Sequence, residues 1–140
     1  LNKGARDVMV KYRVHACTDV TGFSLMGHGL EMAQGSDTEL HIDTAQVDFL
    51  PRAVNFADMG ILPAGMYRNR NFAEEFVDAG EVPLAMQDAL YDPQTSGGLL
   101  IAVHPDDAGA MYAELKNAVP SAQRIGTVEA YRGGKRIFLK

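Results

Sequence analysis

The sequence predicts an α+β layered domain with a mixed, mostly antiparallel sheet covered by helices. Segments with helical spacing of apolar residues alternate along the chain with short segments typical of strands. The last two strand segments, residues 125–130 and 137–139, are separated by Tyr131-Arg132-Gly133-Gly134, a turn sequence typical of a β-hairpin. We therefore expect the final two strands to pair with each other in antiparallel fashion.

The first part of the chain predicts a helix, a strand and a second helix. Residues 5–12 have the spacing of the last part of a helix, and residues 14–17 that of a short strand. Residues 21–34 return to helical spacing, and Gly35 is well placed to end that helix. His28 lies inside it, where we expect a hydrogen-bonded packing residue. Three glycines near the start favour close packing against another backbone, or a nearby ligand: Gly22, Gly27 and Gly29.

The middle of the chain predicts a strand, a helix and then a long irregular segment. Residues 39–43 alternate apolar and polar side chains like a half-buried strand, and residues 50–59 are helical in pattern, with Pro51 acceptable in the first turn. Residues 61–80 are interpreted as a loop that contains Arg68-Asn69-Arg70-Asn71. Two interpretations of this segment stay open. Its arginines meet an anionic substrate, or they pair in solvent with Glu74 and Glu75.

The last third begins with a helical pattern over residues 83–91 and a continuous apolar strand over residues 99–103. Residues 105–119 predict a further helix. Pro105 and two aspartates stand at its start, where acidic side chains favour the positive end of the helix dipole.

Composition limits the class of protein. The 140 residues fit one domain with an ordinary hydrophobic fraction of 46%; the net charge of −5 without a basic run disfavours a nucleic-acid partner. No apolar stretch approaches the ~20 residues that span a bilayer, and the opening Leu1-Asn2-Lys3-Gly4 lacks a signal peptide and an initiating Met. We expect a cytoplasmic protein without a membrane partner, and a chain that continues a longer polypeptide.

Cys17, the one cysteine, fits a reducing compartment, and we expect a buried or half-buried structural thiol rather than a nucleophile.

The segment from Ala16 to His28, Ala-Cys-Thr-Asp-Val-Thr-Gly-Phe-Ser-Leu-Met-Gly-His, is the first candidate for function. Thr18, Asp19 and Thr21 are candidate N-cap residues of the following helix, since their side-chain oxygens can accept from free backbone N–H groups. The alternative is that Asp19 ligates a metal at this strand-to-helix turn, although local chemistry alone favours the cap. One carboxylate does not hold Mg²⁺ unaided, so further ligands would have to lie elsewhere.

A second informative segment is Asp92-Pro93-Gln94-Thr95-Ser96-Gly97-Gly98-Leu99-Leu100. A polar, glycine-ended loop leads into the apolar strand, and such loops expose backbone N–H groups and hydroxyls to phosphate. The alternative is an ordinary turn. The P-loop spacing and its lysine are absent, as is the glycine pattern of dinucleotide-binding turns.

Taken together, the two segments resemble selenophosphate synthetase (selenide, water dikinase), with Pro63-Ala64-Gly65 and Asn71 lying between them as in that family. The resemblance covers essentially the whole chain but only the C-terminal half of a family member. It implies the fold of the aminoimidazole ribonucleotide synthetase-like superfamily. It also implies a reaction in which ATP, selenide and water give selenophosphate, AMP and phosphate, with Mg²⁺ as cofactor.

The resemblance assigns roles to individual residues. Asp19 matches the one carboxylate that the C-terminal half contributes to the magnesium cluster, beside ligands from an N-terminal domain and the ATP phosphates. No catalytic residue is expected in these 140 residues, because the family's reactive cysteine or selenocysteine lies in that N-terminal domain. The full-length enzyme is expected to be a homodimer, and this part alone a monomer without activity. Six residues are expected next to the phosphates: Thr18, Thr21, Thr95, Ser96, Gly97 and Gly98.

One position departs from the family pattern, which has Gly where this chain has Ser24. A serine there would crowd the start of the helix while leaving Asp19, Gly22 and Gly27 in place. Two other functions remain alternatives. The chain is part of another superfamily member, such as aminoimidazole ribonucleotide synthetase or the hydrogenase-maturation carbamoyl dehydratase, or it is a non-catalytic domain that binds an anion or a partner.

Overall fold

The computed structural model describes residues 2–140. In chain order its helices and strands are α1 (Asn2–Met9), β1 (Val14–Asp19), α2 (Ser24–Gly35), β2 (Thr38–Ile42), α3 (Ala53–Asp58), α4 (Ala64–Ala73), β3 (Val77–Asp78), α5 (Leu84–Leu90), β4 (Leu99–Val103), α6 (Pro105–Ala118), β5 (Gly126–Ala130) and β6 (Ile137–Leu139). Short 3₁₀ turns at Thr44–Gln46 and Glu74–Phe76 complete the pattern. Within residues 2–140, no helix is long and apolar enough to cross a membrane.

The strands form two sheets. β1 and β4 make a two-stranded antiparallel sheet, in which Asp19 lies opposite Leu99. The other sheet has the order β3-β6-β2-β5 and is mixed, because β2 pairs antiparallel with β5 whereas β6 is parallel to both β2 and β3. A mixed sheet and a two-stranded antiparallel sheet, both packed against helices, confirm the predicted α+β class.

The apolar core lies mainly between the four-stranded sheet and α2, α4 and α5. Its members are Met26, Leu30, Ala33, Leu40, Ile42, Met66, Ala73, Val77, Val82, Leu90, Tyr91, Ile137 and Leu139. A smaller cluster of Val8, Met111 and Leu115 packs α1 and α6 onto the two-stranded sheet. Helix α2 connects the two layers. A Cβ atom at Gly29 would lie 3.3 Å from Leu40 on one side and 3.8 Å from Leu100 on the other. Gly29 therefore packs closely against side chains rather than against another backbone, and an added Cβ atom at Gly22 meets no atom of the described chain within 4 Å, so the predicted close backbone contact is wrong at these two glycines.

The predicted terminal hairpin is wrong, because β2 lies between β5 and β6. The reason is burial. Ile137 and Leu139 are buried, so β6 takes an interior position, whereas Val128 on β5 is 45% exposed, as suits an edge strand. The chain turns through Gly133 and Gly134, both with positive φ, and passes to the far side of β2. Turn chemistry thus predicted the reversal correctly but not the strand that each segment pairs with.

The predicted irregular segment of residues 61–80 is also wrong, since it contains helix α4. The buried positions of α4 are Met66, Asn69 and Ala73, which have helical spacing. A polar residue in the middle of the buried stripe hides the apolar periodicity from sequence inspection. The other predicted helices and strands are present; β4 and β6 have the predicted bounds, and the remaining elements have shifted ends.

Candidate metal-binding site

Asp19 is the last residue of β1, and its side chain lies on the exposed face of the two-stranded sheet. His15 and Cys17 share that face, because side chains alternate along a strand. Among residues 2–140, the Asp19 carboxylate has no ion pair and accepts no hydrogen bond, and helix α2 begins only at Ser24. The N-cap role is therefore wrong for Asp19. Its carboxylate is left available to a ligand from outside the described residues.

Thr18 and Thr21 do not cap α2 either. The N-cap position is Phe23, which provides no side-chain cap. The Thr18 hydroxyl donates to the Asp19 carbonyl at 3.4 Å, while the Thr21 hydroxyl is hydrogen-bonded to Nε2 of His28 at 3.0 Å. Nδ1 of the same imidazole lies 3.2 Å from Glu31, which confirms the hydrogen-bonded packing role predicted for His28.

The two segments singled out in the sequence meet in space. The Val20 N–H donates to the Gly98 carbonyl and the Gly97 N–H to the Val20 carbonyl, both at 2.9 Å, while the Gln94 N–H donates to the Thr21 carbonyl at 3.0 Å. A Cβ atom at Gly97 would lie 2.9 Å from the Val20 carbonyl oxygen, and Gly98 has a φ of +90°. Glycine is thus favoured at position 97 by the close approach of the Val20 backbone and at position 98 by a positive φ.

The loop that leads into β4 is held by its own polar side chains. Nε2 of Gln94 donates to the Asp92 carboxylate at 2.8 Å and to the Asp92 carbonyl at 3.1 Å. Burial raises the pKa of Asp92, and the bond from Gln94 opposes that rise. Thr95 and Ser96 lie beyond this brace and are exposed. They directly precede the two glycines that bond to Val20, the residue after Asp19.

Asn69 on α4 is hydrogen-bonded next to both sequence segments of the candidate site, a role that the sequence analysis did not identify. Its Nδ2 donates to the carbonyls of Gly22 and Tyr91, each at 3.0 Å, and the side chain is buried. Helix α4 also begins against the loop, since a Cβ atom at Gly65 would lie only 2.8 Å from Pro93. Asn71, which carried part of the resemblance, is exposed on the same helix. No local sequence signal reveals Asn69, because its role depends on two carbonyls that are distant in the chain.

Of the two arginines in the predicted loop, Arg70 is held within the protein, whereas Arg68 is exposed. The Arg70 guanidinium forms an ion pair with Asp88 on α5, and it lies over the Tyr91 ring at 5.3 Å. The prediction that Arg70 pairs with Glu74 or Glu75 is therefore wrong. Burial of the same ring raises the pKa of Tyr91 to about 12, so its hydroxyl remains protonated at neutral pH.

Cys17 is exposed, so its predicted burial is wrong. It lines a surface hollow of about 520 Å³ together with residues of α1 and Leu99. Desolvation, and then the nearby Asp19 carboxylate, raise the pKa of the Cys17 thiol. A raised pKa lowers the thiolate fraction, which agrees with a thiol that is not a nucleophile.

Comparison with known proteins identifies the class to which this fold and site belong. The chain belongs to the AIR synthase related protein family, whose C-terminal domain matches residues 3–138. Among its relatives is the selenide, water dikinase of Treponema denticola, 50% identical over 119 residues, which are 85% of this chain and 34% of the relative. The selenide, water dikinase of Pelobacter propionicus is 47% identical over 130 residues, 91% of this chain and 37% of the relative. That of Clostridium botulinum strain Eklund 17B is 39% identical over 141 residues, 100% of this chain and 41% of the relative.

These similarities confirm the resemblance found in the sequence and also show its extent. The chain spans between 34% and 41% of the length of these relatives. The name selenide, water dikinase therefore describes proteins much longer than this chain of 140 residues.

Proposed function

We propose that this chain is the C-terminal part of an enzyme that makes selenophosphate, with Asp19 completing a Mg-ATP site at a domain interface. The overall reaction converts ATP, selenide and water to selenophosphate, AMP and phosphate. The observation that carries the proposal is the Asp19 carboxylate, which is exposed and unpaired among residues 2–140 at the point where the two segments meet. The selenide, water dikinases among the relatives support the choice of reaction.

The donor set fits one part of a magnesium site. Mg²⁺ prefers oxygen ligands and is usually bound by one or two carboxylates, waters and substrate phosphates. Asp19 offers one such carboxylate, and the remaining ligands would come from the rest of the polypeptide and from ATP. When bound, the ion would neutralise charge on the phosphates during transfer. Asp19 would hold and orient it from the C-terminal side.

The other candidate residues divide into positioning groups and contacting groups. The Gly97 N–H and the Gly98 carbonyl already bond to Val20, so in the proposed site these two groups hold Asp19 in place rather than binding phosphate. The Thr18 hydroxyl likewise bonds to the Asp19 carbonyl, and the Thr21 hydroxyl bonds to His28 on α2. Thr95 and Ser96 are exposed, and we assign them the direct phosphate contacts.

The nucleophile and most ATP ligands are assigned to the part of the enzyme outside this chain, so the 140 residues alone should be inactive. The full-length enzyme is proposed to be a cytoplasmic homodimer. Cytoplasmic location fits a chain whose one cysteine forms no internal disulfide.

Phosphorus NMR of the full-length enzyme with Mg-ATP and selenide tests the proposal. We expect selenophosphate and AMP from the full-length enzyme and neither product from the 140-residue chain. Asp19→Asn keeps the shape of the side chain but removes its charge, and it should lower turnover by at least about a hundredfold with an unchanged circular dichroism spectrum.

Asp58→Asn is the matched control, because Asp58 is an equally exposed aspartate at the end of α3, outside the site. It should leave turnover unchanged. Wild-type turnover in Asp19→Asn with the same Mg²⁺ dependence would refute the role of Asp19. Failure of a folded, ATP-binding full-length enzyme to form selenophosphate would refute the reaction.

A further inference from the structure

A second group of metal-ligating side chains lies on the four-stranded sheet, away from Asp19. Leu40 and Ile42 of β2 face the core, so the alternating Glu39 and His41 project from the opposite face. Glu129 on β5 is directly opposite Glu39 in the antiparallel register. One donor atom from each of Glu39, His41 and Glu129 lies within 4.8 Å of the others.

The imidazole in this group is held in a fixed orientation. The His41 ring stacks on Phe138 of β6 with centroids 4.8 Å apart and an interplanar angle of 8°. Nε2 of His41 then lies 3.1 Å from Oε1 of Glu39. The Glu39 side chain is only 4% exposed, whereas those of His41 and Glu129 are 29% and 39% exposed. The group thus has a buried floor and an open side from which an ion and water can enter.

The charges of the group call for a cation between the two carboxylates. Like charges directly opposite each other on one sheet face are destabilising, and a buried carboxylate needs a partner. The Arg132 guanidinium pairs with the exposed Glu129, but Arg132 gives Glu39 only a backbone N–H at 3.3 Å. The more deeply buried carboxylate therefore has an imidazole and one long hydrogen bond as its partners.

We propose that Glu39, His41 and Glu129 bind a divalent transition metal of the zinc class on this face of the sheet. An imidazole nitrogen with carboxylate oxygens is a donor set that suits zinc, whereas Mg²⁺ and Ca²⁺ prefer oxygen alone. Donors around tetrahedral zinc lie about 3.4 Å apart, given metal–donor distances near 2.1 Å. The three donor atoms already lie within 4.8 Å of one another, so a rotation of the partly exposed Glu129 side chain away from Arg132 would bring them to this spacing. A bound ion would link side chains of β5 and β2, and it would leave the proposed function of Asp19 unaffected.

Calorimetric titration of the 140-residue chain with Zn²⁺ tests this site. We expect saturable binding at one ion per chain and a rise in melting temperature, because an ion that binds only the folded chain stabilises it. Co²⁺ should give the visible absorption bands of a four- or five-coordinate ion. Mg²⁺ in excess should not displace either metal. The absence of saturable Zn²⁺ binding would refute the proposal.

Two variants separate loss of a ligand from loss of an ion pair. Glu129→Gln and Arg132→Gln both remove the pair between these side chains, but only the first removes a metal ligand. We expect Glu129→Gln to weaken Zn²⁺ binding at least about tenfold, and Arg132→Gln to bind at least as tightly as the wild type because a competing cation is gone.

His41→Gln should weaken Zn²⁺ binding like Glu129→Gln, and it should also abolish the Co²⁺ bands. Cys17→Ser controls for capture of the metal by the exposed thiol and should leave the affinity unchanged. Wild-type Zn²⁺ affinity in folded Glu129→Gln and His41→Gln, or loss of binding in Cys17→Ser, would refute the proposed site.

Discussion

The four-stranded and two-stranded sheets differ in what stabilises them. The four-stranded sheet has a buried face, with Leu40, Ile42, Ile137 and Leu139 all in the main core. Every residue of β4 in the two-stranded sheet is only partly buried, and that sheet packs on the smaller cluster. The candidate site at Asp19 lies at the end of the two-stranded sheet, where backbone hydrogen bonds and the Asn69 side chain hold it. The stability of the fold therefore depends mainly on the four-stranded sheet, whereas the proposed role in selenophosphate synthesis depends on the two-stranded sheet.

The largest effect is expected at the edge of the four-stranded sheet. A Cβ atom at Gly126 would lie 2.0 Å from the His41 carbonyl oxygen, so an alanine there requires β5 to separate from β2. We expect Gly126→Ala to lower the free energy of unfolding by at least about 4 kcal/mol in urea titrations followed by circular dichroism.

Gly109→Ala is the control, because a Cβ atom at Gly109 meets no atom within 4 Å in the described chain and the position is inside α6. It should raise stability by up to about 1 kcal/mol. If Gly126→Ala were as stable as the wild type, β5 would contribute little and the contrast between the two layers would fail.

The next effect concerns the region of the candidate site. Asn69→Ala removes the donors to two carbonyls, those of Gly22 and Tyr91, and we expect a loss of about 2–3 kcal/mol. Hydrogen exchange should become faster at residues 20–24 and 91–94, whereas β2 should remain protected. Asn71→Ala on the exposed side of the same helix should change stability by less than about 0.5 kcal/mol. Uniformly faster exchange in β2 as well would show that the layers unfold as one unit.

Asn69 also shows where sequence reasoning ends. Strand β4 was predicted with its observed bounds because five adjacent apolar residues are a local signal. Helix α4 was missed because a polar residue occupies its buried stripe, and that residue is explained only by two carbonyls distant in the chain. In the same way, the turn after β5 indicates a reversal but not that β2 lies between the two strands.

The candidate site was predictable only in part. Motifs identified Asp19 and the segment that ends in Gly97-Gly98, and the structure brings these parts together. The motifs did not reveal that both glycines are required by contact with Val20 and by backbone conformation. The motifs also did not show that α2 begins only at Ser24, so that Thr18, Asp19 and Thr21 lie too far before the helix to cap it. Local residue patterns therefore identified the two segments of the candidate site, whereas the roles of single residues within them depend on contacts that only the fold brings about.

A smaller, pH-dependent effect is expected where β1 meets α6. The Arg13 guanidinium and backbone N–H bond to Asp107, and they hold the pKa of that carboxyl well below its usual range. A lowered folded-state pKa means that the stabilisation is present above the unfolded value of about 4 and is lost as pH falls through the folded value. Asp107→Asn should therefore lower the melting temperature at pH 7, and the difference should shrink by pH 2.

Asp106→Asn is the control for that comparison, because its side chain is 74% exposed and its contact with Arg13 is 3.4 Å long. It should change the melting temperature little at either pH. A difference for Asp107→Asn that stays constant from pH 7 to pH 2 would mean that the ion pair does not stabilise this region.

The smallest effect is expected at Ser24, on the helix that joins the two layers. Ser24 is buried with a φ of +69°, a conformation that is unfavourable for any residue with a Cβ atom by roughly 1 kcal/mol. The Ser24 hydroxyl offsets part of this cost by accepting from the Gly27 N–H at 3.4 Å. Ordinary helix propensity would rank alanine above serine and glycine, whereas this backbone reverses the order. We expect Ser24→Gly to gain up to about 1 kcal/mol and Ser24→Ala to lose a similar amount in urea titrations. If alanine proved more stable than glycine here, the left-handed start of α2 would be wrong.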